Sequence, residues 1–353
     1  MHIPDGYLSP STCAALYAGS APFWYTALRR VERLVHTRTV PLLSLFAAFS
    51  FIVMMFNLPL PGGTTGHAVG VAVAAIVLGP WASILAISIA LAIQAIFFGD
   101  GGITSLGANC FNMAIVGSLA AWAVYRAVSG RAPVDSRRRV VAAALAGYAS
   151  INLSALFAAL EFGIQPLLFH DPSGAPLYCP YPLHIAIPAM MIGHLTVAGM
   201  AELVISAGVV AYLQRAEPSL LAATAPGAAQ QRPAAPALST LRPLWIALGV
   251  LLVLTPLGIL AAGSAWGEWS PSDFSNPAAR RQIAAATGNA ATPTAVPTGL
   301  ARMSNFWTAP MPRYAPPFLK SAAFGYALSA MSGTGLIILI TLAASRLLTR
   351  RPS

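Results

Sequence analysis

The chain has 353 residues, of which 57% are hydrophobic and 8% are charged, and its formal net charge is +10. Soluble domains carry about 25% charged residues, so this composition excludes that class and indicates a polytopic membrane protein. The arginines lie in short clusters between apolar segments, which argues against nucleic acid as a partner. Cys13, Cys110 and Cys179 lack CxxC spacing, so neither a zinc site nor a disulfide framework is indicated.

The apolar pattern predicts an all-α fold, a helical membrane bundle with a seven-helix core and a C-terminal two-helix hairpin. The nine apolar segments lie near residues 9–28, 40–56, 66–79, 81–98, 108–128, 140–160, 183–213, 243–262 and 321–345. The third segment is short for a span of about 20 residues. Only Gly79 and Pro80 separate it from the fourth segment, so a tight hairpin is expected there.

A change in composition divides the chain into modules. Residues 217–242 are rich in Ala, Pro and Gln and lack apolar periodicity, which predicts a flexible cytoplasmic linker. This linker separates a seven-helix module, residues 1–216, from a module at residues 243–353 whose two helices are joined by a long outer loop.

The basic residues predict the orientation. With the N-terminus placed outside, 15 of the 20 Lys and Arg residues fall in the inner connections, near residues 29–38, 126–139, 215–242 and 346–351. Because short inner loops carry the excess of positive charge, we expect the N-terminus outside and the C-terminus in the cytoplasm.

The first six residues, Met-His-Ile-Pro-Asp-Gly, lack the pattern of a signal peptide. Residue 2 is large, so we expect the initiator Met1 to be retained. Its amine, together with the amide and the imidazole of His2, can chelate one metal ion in fused rings. Three in-plane nitrogens leave a fourth position open, as suits square-planar or tetragonal Ni(II), Cu(II) or Co(II). The alternative is that His2 belongs to a disordered terminus.

His67 is expected on the same outer side, where it follows the glycine-rich segment 61–66 and begins the third apolar segment. We expect that segment to be a flexible loop, because glycine permits sharp turns. The imidazole of His67 could fill the fourth metal position. Alternatively, it caps a helix and bonds a neighbouring carbonyl group.

Further polar residues fall near the same mouth or inside the bundle. Asp100 lies in an outer glycine-rich loop, and Asn109 and Asn112 are three residues apart and share a helix face. Such amides either support a ligand-binding loop or bond neighbouring helices together. His194 and Glu202 are interpreted as packing or coupling residues rather than metal ligands. No nucleophile–base triad or nucleotide motif occurs in the sequence, so we expect no enzyme, and energy must come from a partner or a gradient.

Five motifs occur in order within residues 1–213, namely MHIPDGYLSP, GGTTGHAVG, LGPWA, QAIFFGDGGITSLGANCFNMAIVG and GHLTVAGMAELVIS. Together they resemble the CbiM/NikM family, the substrate-binding membrane components of energy-coupling-factor transporters for cobalt and nickel. The resemblance implies that nitrogens of Met1, His2 and His67 bind the metal. A turn at Pro4-Asp5-Gly6 would aim the first two residues inward, and the loop around Asp5, Asp100, Asn109 and Asn112 would support the site.

The resemblance also implies partners, namely a transmembrane coupling protein and cytoplasmic ATPases in a bacterial inner membrane. Co(II) or Ni(II) is then the cargo and not a cofactor. Two alternatives remain. A gradient-driven transporter more often shows inverted repeats and several buried carboxylates. A membrane scaffold would hold its metal structurally.

The C-terminal module has the topology of the small companion subunit of these transporters. Its segments GSAWGEWSPSDF and FWTAPMPRYAPPFLKSAAFGYALSA resemble extensions of some family members, but the PDGLE motif of other such extensions is absent. This leaves open whether the module performs the role of the small subunit. Trp266, Trp269 and Trp307 fit an aromatic belt at the membrane interface.

Overall fold

The computed structural model describes residues 1–32, 39–222, 224–225 and 241–349. These residues form a helical bundle, which confirms the all-α membrane fold. The helices are α1 (Pro10–Glu32), α2 (Thr39–Met54), α3 (Val71–Leu78), α4 (Pro80–Phe98), α5 (Leu106–Ser129), α6 (Arg137–Leu168), α7 (Leu183–Ala216), α8 (Pro218–Ala222), α9 (Arg242–Leu260), α10 (Pro277–Ala286), α11 (Thr298–Met303) and α12 (Ala322–Thr349). Among the described residues, six of these helices are long and apolar enough to cross a membrane, namely α4, α5, α6, α7, α9 and α12.

Each of the nine predicted apolar segments corresponds to a helix, but the third is too short to span the membrane. Helix α3 has eight residues, or about 12 Å at 1.5 Å per residue. It ends where predicted, at Gly79, whose φ of 80° takes the chain out of the helix before Pro80 begins α4. All but the last residue of α3 are buried, so α3 is a core element enclosed by spanning helices.

The glycine-rich segment before His67 is ordered, so the expectation of a flexible loop is wrong. Strand β1 (Leu58–Leu60) pairs antiparallel with β2 (Thr64–Gly66), and Gly62 and Gly63 make the turn with φ angles of 81° and 74°. The hydrogen bonds of this hairpin satisfy the backbone groups of the segment. The hairpin therefore fixes the position of His67, which lies between β2 and α3.

Three spanning helices contain a π-helical turn. The turns are Gln94–Phe98 in α4, Cys110–Val116 in α5 and His194–Ala198 in α7. Such turns shift the register of a helix and occur frequently at functional sites. The sequence analysis gave no sign of them, because a π turn has the same apolar pattern as the helix around it.

The first residues of the predicted linker are packed rather than free. Leu220 and Leu221 of α8 are buried, and the Thr224 hydroxyl donates a hydrogen bond to the Ile76 carbonyl in α3. The remainder of residues 217–242, apart from 241–242, lies outside the described residues. So do five of the basic residues used to predict the orientation, Arg33, Arg38, Arg232, Arg350 and Arg351.

The C-terminal module packs directly on the first. Helix α12 lies along α2, where the Ser44 and Thr341 hydroxyl groups are 2.5 Å apart. The Tyr326 hydroxyl donates to the Met55 carbonyl over 2.7 Å. The connection between α9 and α12 folds across the end of the bundle that carries His67, and the Thr65 N–H donates to the Ser264 carbonyl over 3.2 Å.

Helices α6 and α7 cross closely at Gly147. A Cβ atom there would lie 2.9 Å from the Glu202 carbonyl oxygen and would also meet the Ser206 hydroxyl. We predict that Gly147→Ala destabilises the purified protein by about 1–3 kcal/mol, the usual cost of overpacking. The matched control is Gly208→Ala in α7, where a Cβ would meet nothing within 4 Å.

Thermal unfolding in detergent measures both variants. Gly208→Ala should be neutral or slightly stabilising, since alanine is the better helix former. An equal melting temperature for the two variants would contradict the close crossing.

Candidate metal centre

The N-terminus is folded into the protein, which contradicts the alternative of a disordered tail. Met1 and His2 are 3% and 1% exposed, and Ile3 is buried beside them. Buried polar backbone groups need partners, and Asn109 supplies them for Ile3. Its side-chain oxygen accepts from the Ile3 N–H over 2.8 Å, while its amide nitrogen donates to the Ile3 carbonyl over 3.1 Å.

Asp5 anchors the same segment to the glycine-rich loop. Its carboxylate accepts from the backbone N–H groups of Ile103 and Thr104, over 3.2 and 2.7 Å, and from the Thr104 hydroxyl. A Cβ on Gly102 would collide with Asp5, so glycine at 102 permits the close approach. The structure therefore places Asp5 and Asn109 where the sequence analysis expected supporting residues.

The rings of His2 and His67 meet edge to face, with their centroids 5.1 Å apart. His67 is 6% exposed. Its Nδ1 lies 3.0 Å from the Ala68 carbonyl, and since a carbonyl only accepts, Nδ1 carries the proton. Nε2 is then the nitrogen with a free lone pair. The bond to a neighbouring carbonyl is the one that the sequence analysis gave as the alternative to a metal-binding role, and it also fixes the tautomer in which Nε2 is free to act as a ligand.

The His2 imidazole is oriented by Asp100. Nδ1 lies 3.3 Å from both the backbone carbonyl and a carboxylate oxygen of Asp100, whereas Nε2 is buried without a hydrogen-bond partner among the described residues. The predicted chelate ring uses Nδ1. A half-turn about the Cβ–Cγ bond would release Nδ1 from Asp100 and move Nε2 to the Asp100 side of the ring.

Charge at the site is set by the chain terminus and two carboxylates. The Met1 ammonium lies 3.9 Å from a Glu268 carboxylate oxygen. Burial lowers the pKa of His2; the Asp100 carboxylate opposes that shift, and the nearby ammonium acts in the same direction as burial. Burial also lowers the pKa of His67, which lies outside the spanning helices. Burial raises the pKa of Glu268, and the ammonium opposes that shift. Both imidazoles are thus neutral at physiological pH, as metal ligands must be.

The other predicted polar residues lie around this centre with different partners. Asn112 donates to the Glu161 carboxylate over 2.8 Å, so it bonds α5 to α6. His194 Nδ1 lies 2.8 Å from the Met190 carbonyl of its own helix. Glu202 accepts from the N–H groups of Val69 and Gly70, over 2.7 and 3.0 Å. A carboxylate from α7 therefore caps the start of α3, a role that the sequence analysis considered for His67.

The sequence analysis missed the contribution of the C-terminal module. Besides Glu268, Tyr314 reaches the site, where its hydroxyl donates to Asp100. Trp266 and Trp269 are buried against Phe162 and Tyr181 rather than lying in an interfacial belt, while Trp307 is 44% exposed. The sequence held one indication of this contribution: Glu268 is one of only 10 acidic residues in the chain, and it lies in the long outer loop of the C-terminal module.

Side chains alone do not complete a metal site. Among the residues that the structure describes, no group of three or more His, Cys, Asp or Glu side chains is arranged to hold an ion. The two imidazoles would need further ligands, and the Met1 amine and the His2 amide nitrogen lie beside them.

The fold and this pocket define a multi-pass membrane protein of the transition-metal transport class. Residues 2–220 match the CbiM family model, described as the cobalt uptake substrate-specific transmembrane region, and the chain belongs to that family. Residues 242–350 match the PDGLE domain model, although the literal motif is absent. The absence of the literal PDGLE motif therefore did not indicate a different kind of C-terminal domain.

Similar proteins and a solved structure support this assignment. The chain is 56% identical over 353 residues to the fused nickel transport protein NikMN of Rhodobacter capsulatus, with 99% of each chain covered. It is 45% identical to the probable fused nickel transport protein LarMN of Lactiplantibacillus plantarum, over 80% of this chain and 82% of the relative. A crystal structure of a truncated transition metal transporter aligns with a TM-score of 0.57 and 49% identity, over 60% of this chain and 98% of that one.

Proposed function

We propose that this protein is the substrate-capture subunit of an ATP-driven importer of the energy-coupling-factor type for Ni(II) or Co(II). The single observation that carries the proposal is the convergence of Met1, His2 and His67 in one buried pocket. A soluble or lipid-facing role gives no reason to bury a charged chain terminus beside two neutral imidazoles, because burying a charge costs free energy even with the Glu268 carboxylate 3.9 Å away. Relatives named for nickel transport agree with the proposed cargo.

The proposed ligands are the Met1 amine, the His2 amide nitrogen and Nδ1, and His67 Nε2. Four nitrogens in a plane suit Ni(II) and Co(II). The amine and the amide must lose protons before they bind, so affinity rises with pH. The lowered pKa of His2 keeps its imidazole available below the usual range, which leaves the two backbone nitrogens as the pH-sensitive ligands.

Release requires outside work, because a preformed planar site does not weaken by itself. The proposal therefore includes partners, a transmembrane coupling protein and cytoplasmic ATPases, with the N-terminus of this chain outside and its C-terminus inside. The clusters of inner arginines support this orientation.

An insertion tests the chelate. Placing three glutamines between Met1 and His2 keeps residue 2 large, so Met1 is retained, and it separates the amine from the imidazole by more peptide bonds than one planar set of fused rings can include. We predict a loss of Ni(II) affinity of at least 100-fold by titration of the purified protein, with the stoichiometry of the unaltered chain at one ion. Unchanged affinity in the insertion variant would show that the terminal amine and the His2 amide do not bind the ion together.

Replacing His67 tests the fourth ligand. His67→Ala should lower Ni(II) affinity by at least 10-fold while the protein still inserts and keeps its melting temperature within a few degrees. His170→Ala is the matched control, since His170 is an exposed histidine in the connection between α6 and α7. If both variants bind Ni(II) like the parent, His67 is not a ligand.

Transport in cells tests the energy source. We predict that radioactive nickel accumulates in cells that carry this chain together with the coupling protein and the ATPases, and falls to background when an ATPase is inactivated. Uptake that persists without the ATPases, and collapses when the proton gradient is removed, would instead identify a secondary transporter. Metal retained by the protein without any uptake would identify a scaffold.

A further inference from the structure

Tyr314 occupies an unusual position in the C-terminal module. It is 6% exposed and has a φ of 58°, and the preceding Arg313 has a φ of 53°. Left-handed backbone at non-glycine residues costs about 1–3 kcal/mol and persists where the surroundings impose it. Here the surroundings are the Phe98 ring, stacked at 4.8 Å, and the Ser329 hydroxyl, which donates to the Tyr314 carbonyl over 3.0 Å.

The Tyr314 hydroxyl points into the predicted metal centre. It donates to Asp100 Oδ2 over 2.5 Å and accepts from Gln94 Nε2 over 3.0 Å. The other carboxylate oxygen of Asp100 is 3.3 Å from His2 Nδ1. A series of polar contacts therefore runs from Gln94 through Tyr314 to the Asp100 carboxylate and on to the His2 imidazole, whose Nδ1 donates to the Asp100 backbone carbonyl over 3.3 Å.

Asp100 needs such a contact to hold its direction. Its neighbours Gly99 and Gly101 have φ angles of 63° and 80°, and residues 99–102 lie between α4 and α5 without helical structure. Glycines on both sides permit several backbone conformations. The Asp100 N–H donates to the Gln94 carbonyl over 3.1 Å, but the Tyr314 hydroxyl is the contact that orients the carboxylate.

We propose that Tyr314 is a positioning residue of the site for a divalent transition-metal ion: its hydroxyl anchors Asp100, whose carbonyl and carboxylate oxygens both lie 3.3 Å from His2 Nδ1, and so limits the orientations of the His2 ring. The inference rests on the proposed function and extends it to the C-terminal module. Hydrogen-bonded partners of a metal-binding histidine fix the orientation of its ring.

The Tyr314 hydroxyl acts on the His2 ring through Asp100, which bonds Nδ1 in the structure. Removing the hydroxyl leaves the His2 ring and the Asp100 loop free to adopt orientations that do not bind metal.

The test is Ni(II) titration of the purified full-length chain with Tyr314→Phe, which deletes one hydroxyl and keeps the aromatic packing. We expect a 10–100-fold loss of affinity, the usual effect of removing such a supporting contact. The visible absorption bands of bound Ni(II) should also shift, since they report ligand orientation. Tyr326→Phe is the matched control. Tyr326 lies in the same module as Tyr314, but its hydroxyl bonds the Met55 carbonyl of the first module and touches no predicted ligand.

A double-mutant cycle separates positioning from general loosening. In an Asp100→Ala background, Tyr314→Phe should cause no further loss, because the residue through which it acts is gone. Three results overturn the inference: unchanged affinity and spectrum in Tyr314→Phe, an equal loss in Tyr326→Phe, or the same loss with and without Asp100. The proposed function fails separately, if the unaltered chain binds no Ni(II), and this inference then fails with it.

Discussion

Burial of the chain terminus is the constraint on which the rest of the structure depends. An ammonium group and an imidazole next to each other in a membrane protein lose their hydration, and each polar atom needs a protein partner in exchange. Asn109 satisfies the backbone of Ile3, Asp5 is bonded by the glycine-rich loop, and Glu268 faces the Met1 ammonium. The hairpin before His67 and the extension over the pocket close the same space. The glycine-rich loop, the hairpin and the extension therefore have one role in common, which is to enclose the first five residues and to satisfy their polar groups.

Charge conservation indicates why a terminal chelate suits a buried site. A divalent cation brings two positive charges into a low-dielectric pocket, where uncompensated charge is strongly disfavoured. In the proposed chelate, binding to the amine and the His2 amide would expel about two protons, so the net charge of the pocket would be unchanged by loading. A site built from two carboxylates would instead alternate between an anionic empty state and a neutral loaded state. An exchange of protons for metal needs no such change, and His2 and His67 stay neutral in both states.

The sequence allowed the helices and much of the pocket to be predicted, for different physical reasons. Apolar segments are local signals, so every helix from α1 to α12 that could span was expected at its position. Met1, His2 and His67 were candidate metal ligands from their nitrogen donors on the outer side, and the family resemblance, rather than the residues alone, favoured them over a disordered terminus and a helix cap. Tyr314 and Glu268 were not, since a tyrosine or a glutamate carries no local sign of a contact more than 200 residues away, such as the 214 that separate Tyr314 from Asp100. The β-hairpin was also missed, because its strands have only three residues each.

Those long-range contacts give a physical reason for carrying the extension on the same chain. Residues from both modules share one hydrogen-bonded surface: the Tyr7 hydroxyl donates to the Trp269 carbonyl over 2.8 Å, and Thr65 pairs with the segment at Ser264. A tether makes docking of the second module intramolecular, with an effective concentration of about millimolar for a short linker. The cover over the pocket then depends on no encounter between separate subunits.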